Sequence, residues 1–141
     1  FMEEVGSATL TSCAFESNVS PLQGGALDFS RVGKTVLDRS TFANNTSLRY
    51  SGGALSMNAC VSLDAAKCTF DNNTAGNEGG GIFIYSVGAN ITDSVFTRNS
   101  AVLGGGLSLD GTSRSTMERC LVQGNSVDSS AHSHLSGCGG G

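Results

Sequence analysis

The sequence contains one proline and no tryptophan, and only 14% of its residues are charged, against about 25% in an ordinary soluble domain. Scarce proline excludes a collagen, although glycine is abundant at 20 residues. Scarce charge and the absence of heptads exclude a coiled coil. Basic residues are also few. Lys and Arg number 8 against 12 Asp and Glu, for a net charge of −4, so there is no basic stripe to grip a nucleic acid. No run of about 18 apolar residues occurs, so no segment reads as a membrane-spanning helix. No secretory leader is apparent at Phe1. What remains is a 141-residue chain with 38% hydrophobic residues, enough to bury a core of normal size.

The sequence is periodic. Phe followed three residues later by Asn occurs at Phe15/Asn18, Phe42/Asn45, Phe70/Asn73 and Phe96/Asn99, and Val122/Asn125 keeps only the Asn. The steps are 27, 28, 26 and 26 residues. A second motif runs in phase: Gly24-Gly25-Ala26-Leu27, Gly52-Gly53-Ala54-Leu55, Gly79-Gly80-Gly81-Ile82 and Gly104-Gly105-Gly106-Leu107. It stands 18, 18, 17 and 18 residues before the next Phe or Val122. Two motifs locked in phase define a repeat, and a repeat this short cannot bury its own apolar face. Stacked copies can.

The columns read as strands. Leu27, Leu55, Ile82 and Leu107 are followed two residues on by Phe29, Met57, Ile84 and Leu109, with Asp28, Ser56, Phe83 and Ser108 between them. That alternation has the strand period, with the intervening residues outward. Five before the aromatic stand Leu10, Leu37, Ile91 and Met117, and in the third copy a two-residue slip puts Leu63 in this column. A propeller blade needs about 40–50 residues, too many. A turn of a parallel β-helix fits, with two or three short strands per turn and turns about 4.8 Å apart. The expected fold is therefore all-β: one parallel β-helix domain over residues 1–141, of about five turns of 26–28 residues, with an irregular insertion at residues 128–137.

In that register Phe15, Phe42, Phe70 and Phe96 stack inside. Asn18, Asn45, Asn73, Asn99 and Asn125 form an internal ladder, each at a left-handed corner with its amide bonded to the next turn. The Gly pairs fit corners of positive φ or close backbone approach. The repeats run into both ends of the chain, so the expectation is a piece of a longer solenoid. Its open edges would be covered by neighbouring segments of the same parent chain or by capping subunits.

The pairing of Gly-Gly-Ala-Ile/Leu with Phe-x-x-Asn resembles the repeat of the chlamydial polymorphic outer membrane proteins, across residues 10–125. The resemblance implies a right-handed β-helix used in surface display and adhesion. Two copies depart from the pattern with Gly-Gly-Gly, at Gly79 and Gly104, and the last turn lacks the aromatic.

Catalytic and metal chemistry find little support. Cys13, Cys68 and Cys120 share a column with Ser40 and Ser94. They stand two turns apart, about 9.6 Å, beyond the disulfide limit of about 7 Å between Cα atoms. They read as small buried fillers, while Cys60 and Cys138 are left unassigned. His132 and His134, with Asp128 or Cys138, could hold a metal, but a Ser/His-rich segment reads better as an exposed loop. No metal or cofactor is expected. β-Helices also carry pectin lyase-like enzymes, which need clustered carboxylates. The outer columns Ser12, Arg39, Lys67, Asp93, Arg119 and Thr11, Asp38, Ala66, Thr92, Glu118 offer no acids on adjacent turns. Asn-x-Ser/Thr acceptors at Asn44, Asn72 and Asn90 lie outside the ladder column. The reading is a non-catalytic structural or adhesive module of an extracellular or cell-surface protein. It would contact other proteins laterally and, through its outer face, glycans; the alternative is a carbohydrate-binding or polysaccharide-cleaving β-helix.

Overall fold

The computed structural model describes residues 6–111 and 114–128. Its first turn holds β1 (Ala8–Thr11), β2 (Ala14–Glu16), β3 (Val19–Ser20) and β4 (Leu27–Ser30). The second repeats them as β5 (Lys34–Asp38), β6 (Thr41–Ala43), β7 (Thr46–Ser47) and β8 (Leu55–Asn58). The third holds β9 (Ser62–Ala66), β10 (Thr69–Asp71), β11 (Thr74–Ala75) and β12 (Ile82–Tyr85). The fourth holds β13 (Gly88–Thr92), β14 (Val95–Thr97), β15 (Ser100–Ala101) and β16 (Leu107–Asp110), and a fifth adds β17 (Ser115–Glu118), β18 (Leu121–Gln123) and β19 (Ser126–Val127). Every pairing is parallel and joins one turn to the next, giving sheets β1-β5-β9-β13-β17, β2-β6-β10-β14-β18, β3-β7-β11-β15-β19 and β4-β8-β12-β16. The chain is a parallel β-helix of four full turns and most of a fifth. Each of the four full turns has four strands rather than the two or three that the sequence suggests. Each turn includes one two-residue strand (β3, β7, β11, β15 or β19), too short to show an alternation of its own.

The corners explain the shape. Ser12, Arg39, Lys67, Asp93 and Arg119 all have positive φ, and so do Ser17, Asn44, Asn72, Arg98 and Gly124. Arg31, Ala59, Ser86 and Gly111 mark a third corner, and Gly24, Gly52, Gly79 and Gly104 the fourth. At the first three corners, one left-handed residue bends the chain and, among the described residues, turns the next side chain inward. The sequence reading placed the left-handed backbone on the ladder asparagines themselves; it lies on the residue before each of them. The second Gly of each pair answers to space instead. A Cβ on Gly53 would run into the carbonyl oxygen of Gly80 one turn away.

The interior is built from register. Phe15, Phe42, Phe70 and Phe96 are aligned residue for residue. Their rings stack at 4.9, 4.8 and 4.8 Å with interplanar angles of 7°, 4° and 8°. Isolated ring pairs prefer an offset or edge-to-face arrangement; here the strand spacing imposes the near-parallel stack. Phe42, Phe70 and Phe96 are fully buried, whereas Phe15 is half-buried and Val122 is 41% exposed. Leu55 and Ile82 are buried, Leu27 and Leu107 only partly. The end turns have a neighbour on one side only, so the expectation of uniform burial holds for the middle turns.

The expected slip at Leu63 is corrected. Ala65, not Leu63, stands in register with Leu37 and Ile91. Leu63 lies in the next inward column, between Thr35 and Ala89. All six are buried. A small residue in one column is matched by a large one in the adjacent column on the same turn. The cross-section is thus filled at constant volume without any change in register.

Candidate functional site

Two polar columns run inside the solenoid. In the first, Nδ2 of Asn18, Asn45, Asn73 and Asn99 donates to Oδ1 of the next asparagine at 2.9, 3.0, 2.9 and 2.9 Å. The backbone N–H of each donates to the same oxygen at 2.9–3.1 Å. The second Nδ2 hydrogen of Asn45, Asn73, Asn99 and Asn125 donates back to the carbonyl of Phe15, Phe42, Phe70 and Phe96. Asn45, Asn73 and Asn99 are fully buried, and each amide in the middle turns uses both donors and accepts twice. Such a satisfied network leaves no free group for chemistry.

The second column is Cys13, Ser40, Cys68, Ser94 and Cys120. Each side chain donates to the carbonyl two residues back. Ser40 and Ser94 also accept the N–H of Cys13 and Cys68. These residues are thus hydrogen-bonded members of a corner as well as fillers. Cys68 is buried and Cys13 and Cys120 are half-buried, all unpaired, so the three are not uniformly enclosed as the sequence suggests. Burial pushes the Cys68 thiol pKa up. Cys60 fills the third corner and is also buried and unpaired. Cys138, His132, His134 and all but the first residue of 128–137 lie outside the described residues.

Outside, charges pair among the described residues, three times between turns and twice between sequence neighbours. Arg119 holds Asp93 through two contacts of 2.6 and 3.0 Å and reaches Glu118 at 3.3 Å. Arg98 and Thr97 hold Asp71, Lys34 meets Asp64 at 2.6 Å, and Arg39 meets Asp38 at 2.9 Å. Of the two cations flanking Asp93 in the sequence, Arg119 makes the ion pair, and Lys67 acts on it only at a distance. Arg98 and Arg119 hold the Asp71 and Asp93 carboxyls below the usual range. A glycosidase acid needs the opposite shift. No register column of the described residues carries carboxylates on adjacent turns, and no group of three His, Cys, Asp or Glu among them could hold a metal.

A shallow depression of ≈ 260 Å³ opens on the outer face of β9, β13 and β17, lined in part by Ser62, Asp64, Asn90, Arg114 and Thr116. Gly88 in β13 also lines it, and a Cβ there would press on the Arg114 carbonyl oxygen. Thr116 donates to Asn90 Oδ1 at 2.8 Å across its floor. Sequence reasoning passed over this column because it holds one acid and no repeated motif. Asn44, Asn72 and Asn90 are all exposed, and Asn72 donates to Asn44 at 2.7 Å. Ser56, expected outward with Asp28, Phe83 and Ser108, is fully buried. Its hydroxyl and that of Thr35 are the two buried side-chain polar atoms without a partner among the described residues.

Parallel turns stacked on inward ladders, with ion pairs outside, define a β-solenoid scaffold. The family model described as "Right handed beta helix region" matches residues 1–138. The chain belongs to this right-handed β-helix family, and the handedness expected from the resemblance is that of the family. No curated protein and no solved structure matches the chain.

Proposed function

We propose that the chain is a non-catalytic structural or adhesive module of an extracellular or cell-surface protein, a stacked scaffold for display and lateral protein contacts. One observation carries this reading: the polar groups that recur at every turn are taken up by one another, most of them between turns. The asparagine and Cys/Ser columns bond to one another inside, and the carboxylates of β5, β9, β10 and the Asp93 corner bond to cations outside. The similarity of the repeat to that of the polymorphic outer membrane proteins supports the adhesive role. The exposed acceptors Asn44, Asn72 and Asn90 support a secreted location. Incubation with oligogalacturonates and other acidic glycans tests the catalytic half, with intact substrate expected. New reducing ends or unsaturated products would overturn it.

A second reading, a glycan-binding β-helix, is favoured by the depression over β9, β13 and β17. Asn90, Thr116 and Arg114 line it with an amide, a hydroxyl and a guanidinium beside a mostly apolar surface. Titration with the same glycans separates the readings. Saturable binding lost in Asn90→Ala supports the second; no binding supports the first.

A further inference from the structure

Five asparagines stand two residues before a Ser or Thr, the acceptor pattern for an N-linked glycan: Asn18, Asn44, Asn45, Asn72 and Asn90. The fold separates them. Asn45 is buried and spends both Nδ2 hydrogens, on Phe15 and Asn73, and Asn18 gives its Nδ2 to Asn45. Asn44 and Asn72 share a left-handed corner one turn apart, and Asn72 gives its Nδ2 to Asn44. Glycans on both would stand about 4.8 Å apart. Asn90 differs from all of these. It is the exposed middle residue of β13, in register with Asp64 and Thr116. The bond that fixes its amide, from Thr116 at 2.8 Å, runs through Oδ1, so a substituent on Nδ2 leaves that bond intact. Around it lies the depression of ≈ 260 Å³, with Ser62, Gly88 and Arg114 beside it.

The depression is smaller than the about 300–1,000 Å³ that encloses a drug-sized ligand. It has room for one sugar residue. A single residue on a shallow surface gains too little to offset its lost freedom on binding from solution. A covalent tether removes that cost, because it holds the sugar at its seat at a high effective concentration. We infer that Asn90 carries an N-linked glycan and that the depression over β9, β13 and β17 seats its first residue, an N-acetylhexosamine. This rests on the secreted location proposed above, and it assigns the sugar-sized surface to the chain's own glycan. In the transfer, Nδ2 of Asn90 forms a bond to C1 of the sugar, and the bond from C1 to the diphosphate of a lipid-linked donor breaks. The lipid diphosphate leaves with the electron pair, and the amide gives up one proton. Thr92 supplies the hydroxyl that the acceptor pattern requires. In the folded chain the acetamido methyl and one face of the ring lie on the mostly apolar floor, and Ser62 and Arg114 meet the sugar's polar groups at the rim. The glycan then covers this face and leaves lateral protein contacts to the others.

Expression of the 141-residue chain behind a secretory leader in a glycosylating eukaryotic host tests this. Enzymatic release of N-glycans in heavy-oxygen water marks each occupied asparagine as a labelled aspartate, read by peptide mass mapping on secreted and retained chain alike. Asn90 is expected to be occupied and Asn45 bare. Release from Asn90 in the folded chain is expected to be about tenfold slower than in the heat-denatured chain, the protection that about 1.4 kcal/mol of packing gives. Thr92→Ala keeps Asn90 and removes the acceptor pattern, and Asn90→Gln gives the same comparison with the threonine kept. Made with and without glycosylation, the parent chain is expected to gain Tm from its glycans that neither variant gains. A bare Asn90, a glycan released equally fast from folded and denatured chain, or an equal gain in Tm for the variants would each overturn the inference. A bare Asn90 beside an occupied Asn44 or Asn72 would leave the secreted reading standing. A seated glycan at Asn90 on a chain that cleaves acidic glycans would defeat the non-catalytic reading alone.

Discussion

Replacing Asn73 by Ala removes the centre of the ladder, and the structure allows the cost to be worked out. Asn73 Oδ1 accepts from the backbone N–H and Nδ2 of Asn45, both at 3.0 Å. Its Nδ2 donates to Asn99 Oδ1 and the Phe42 carbonyl, both at 2.9 Å. Asn99 Oδ1 keeps the Asn73 backbone N–H, so the acceptor side is only weakened. The donor side is orphaned: two N–H groups of fully buried Asn45 lose their only acceptor. At about 1–3 kcal/mol for each unsatisfied buried group, the loss is about 2–6 kcal/mol. A water entering the vacated space would bring it toward the lower value. Asn72 is the control. It is exposed, and Ala there forfeits one surface hydrogen bond and some tolerance of φ 53°, together about 1 kcal/mol. For 141 residues, each kcal/mol shifts Tm by roughly 3 °C. Asn73→Ala should therefore lower Tm by about 6–18 °C and Asn72→Ala by about 3 °C. Thermal melts followed by circular dichroism, with urea titration as a second measure, decide the matter. Equal losses for the two would refute the ladder as a source of stability.

Three other outcomes are expected. Brief alkylation of the folded chain followed by peptide mass mapping should modify half-buried Cys13 and Cys120 well before Cys60 and Cys68; early labelling of Cys68 would contradict its place in the core. Asp71 and Asp93 have depressed pKa values in the folded state, so their ion pairs stabilise the fold above the unfolded carboxylate pKa of about 3.9. That contribution should be lost as pH falls below it through the folded values, and Asp71→Asn should flatten the acid limb of a stability-against-pH curve. Backbone substitutions should act with opposite signs: Gly53→Ala forces a Cβ into the Gly80 carbonyl and should lose more than about 3 kcal/mol. Ala59→Gly relieves a left-handed alanine at φ 50° and should gain up to about 1 kcal/mol, both read as urea midpoints.

The parts of the fold that repeat were legible, because stacking turns sequence period into contact. Phe42 touches Phe70 and Asn45 bonds Asn73 for the same reason that they are 28 residues apart. The parts that average out over the repeat were not. The β3-type strands are two residues long and carry no alternation. The left-handed corner residues include Ser, Arg, Lys, Asp, Asn, Ala and Gly, so no residue type marks them. The Leu63/Ala65 exchange looked like a slip because one column was read alone; two columns read together conserve volume. The depression over β13 was missed because the column over it, Asp64, Asn90 and Thr116, repeats no motif, and a search for regularity discards such a column.

These cases share a physical cause that also locates any recognition chemistry. An inward column is constrained at every turn by the turns above and below, so its residues vary only where volume or hydrogen bonding is compensated, as at Leu63 and Ala65 or between Ser40 and Cys68. An outward column has no such constraint. In the Ser12, Arg39, Lys67, Asp93, Arg119 corner the backbone conformation is the same at every turn, with φ between 47° and 54°, while the side chain changes from neutral to cationic to anionic. The fold therefore fixes where each outer side chain stands, at about 4.8 Å intervals along the axis, and leaves its chemistry free. In the proposed role, a lateral partner would meet a linear order of charges at fixed spacing rather than the shape of one pocket. Exposed pairs such as Arg119–Asp93 add little stability. In the proposed role, their place in a rigid row would let them select what lies alongside.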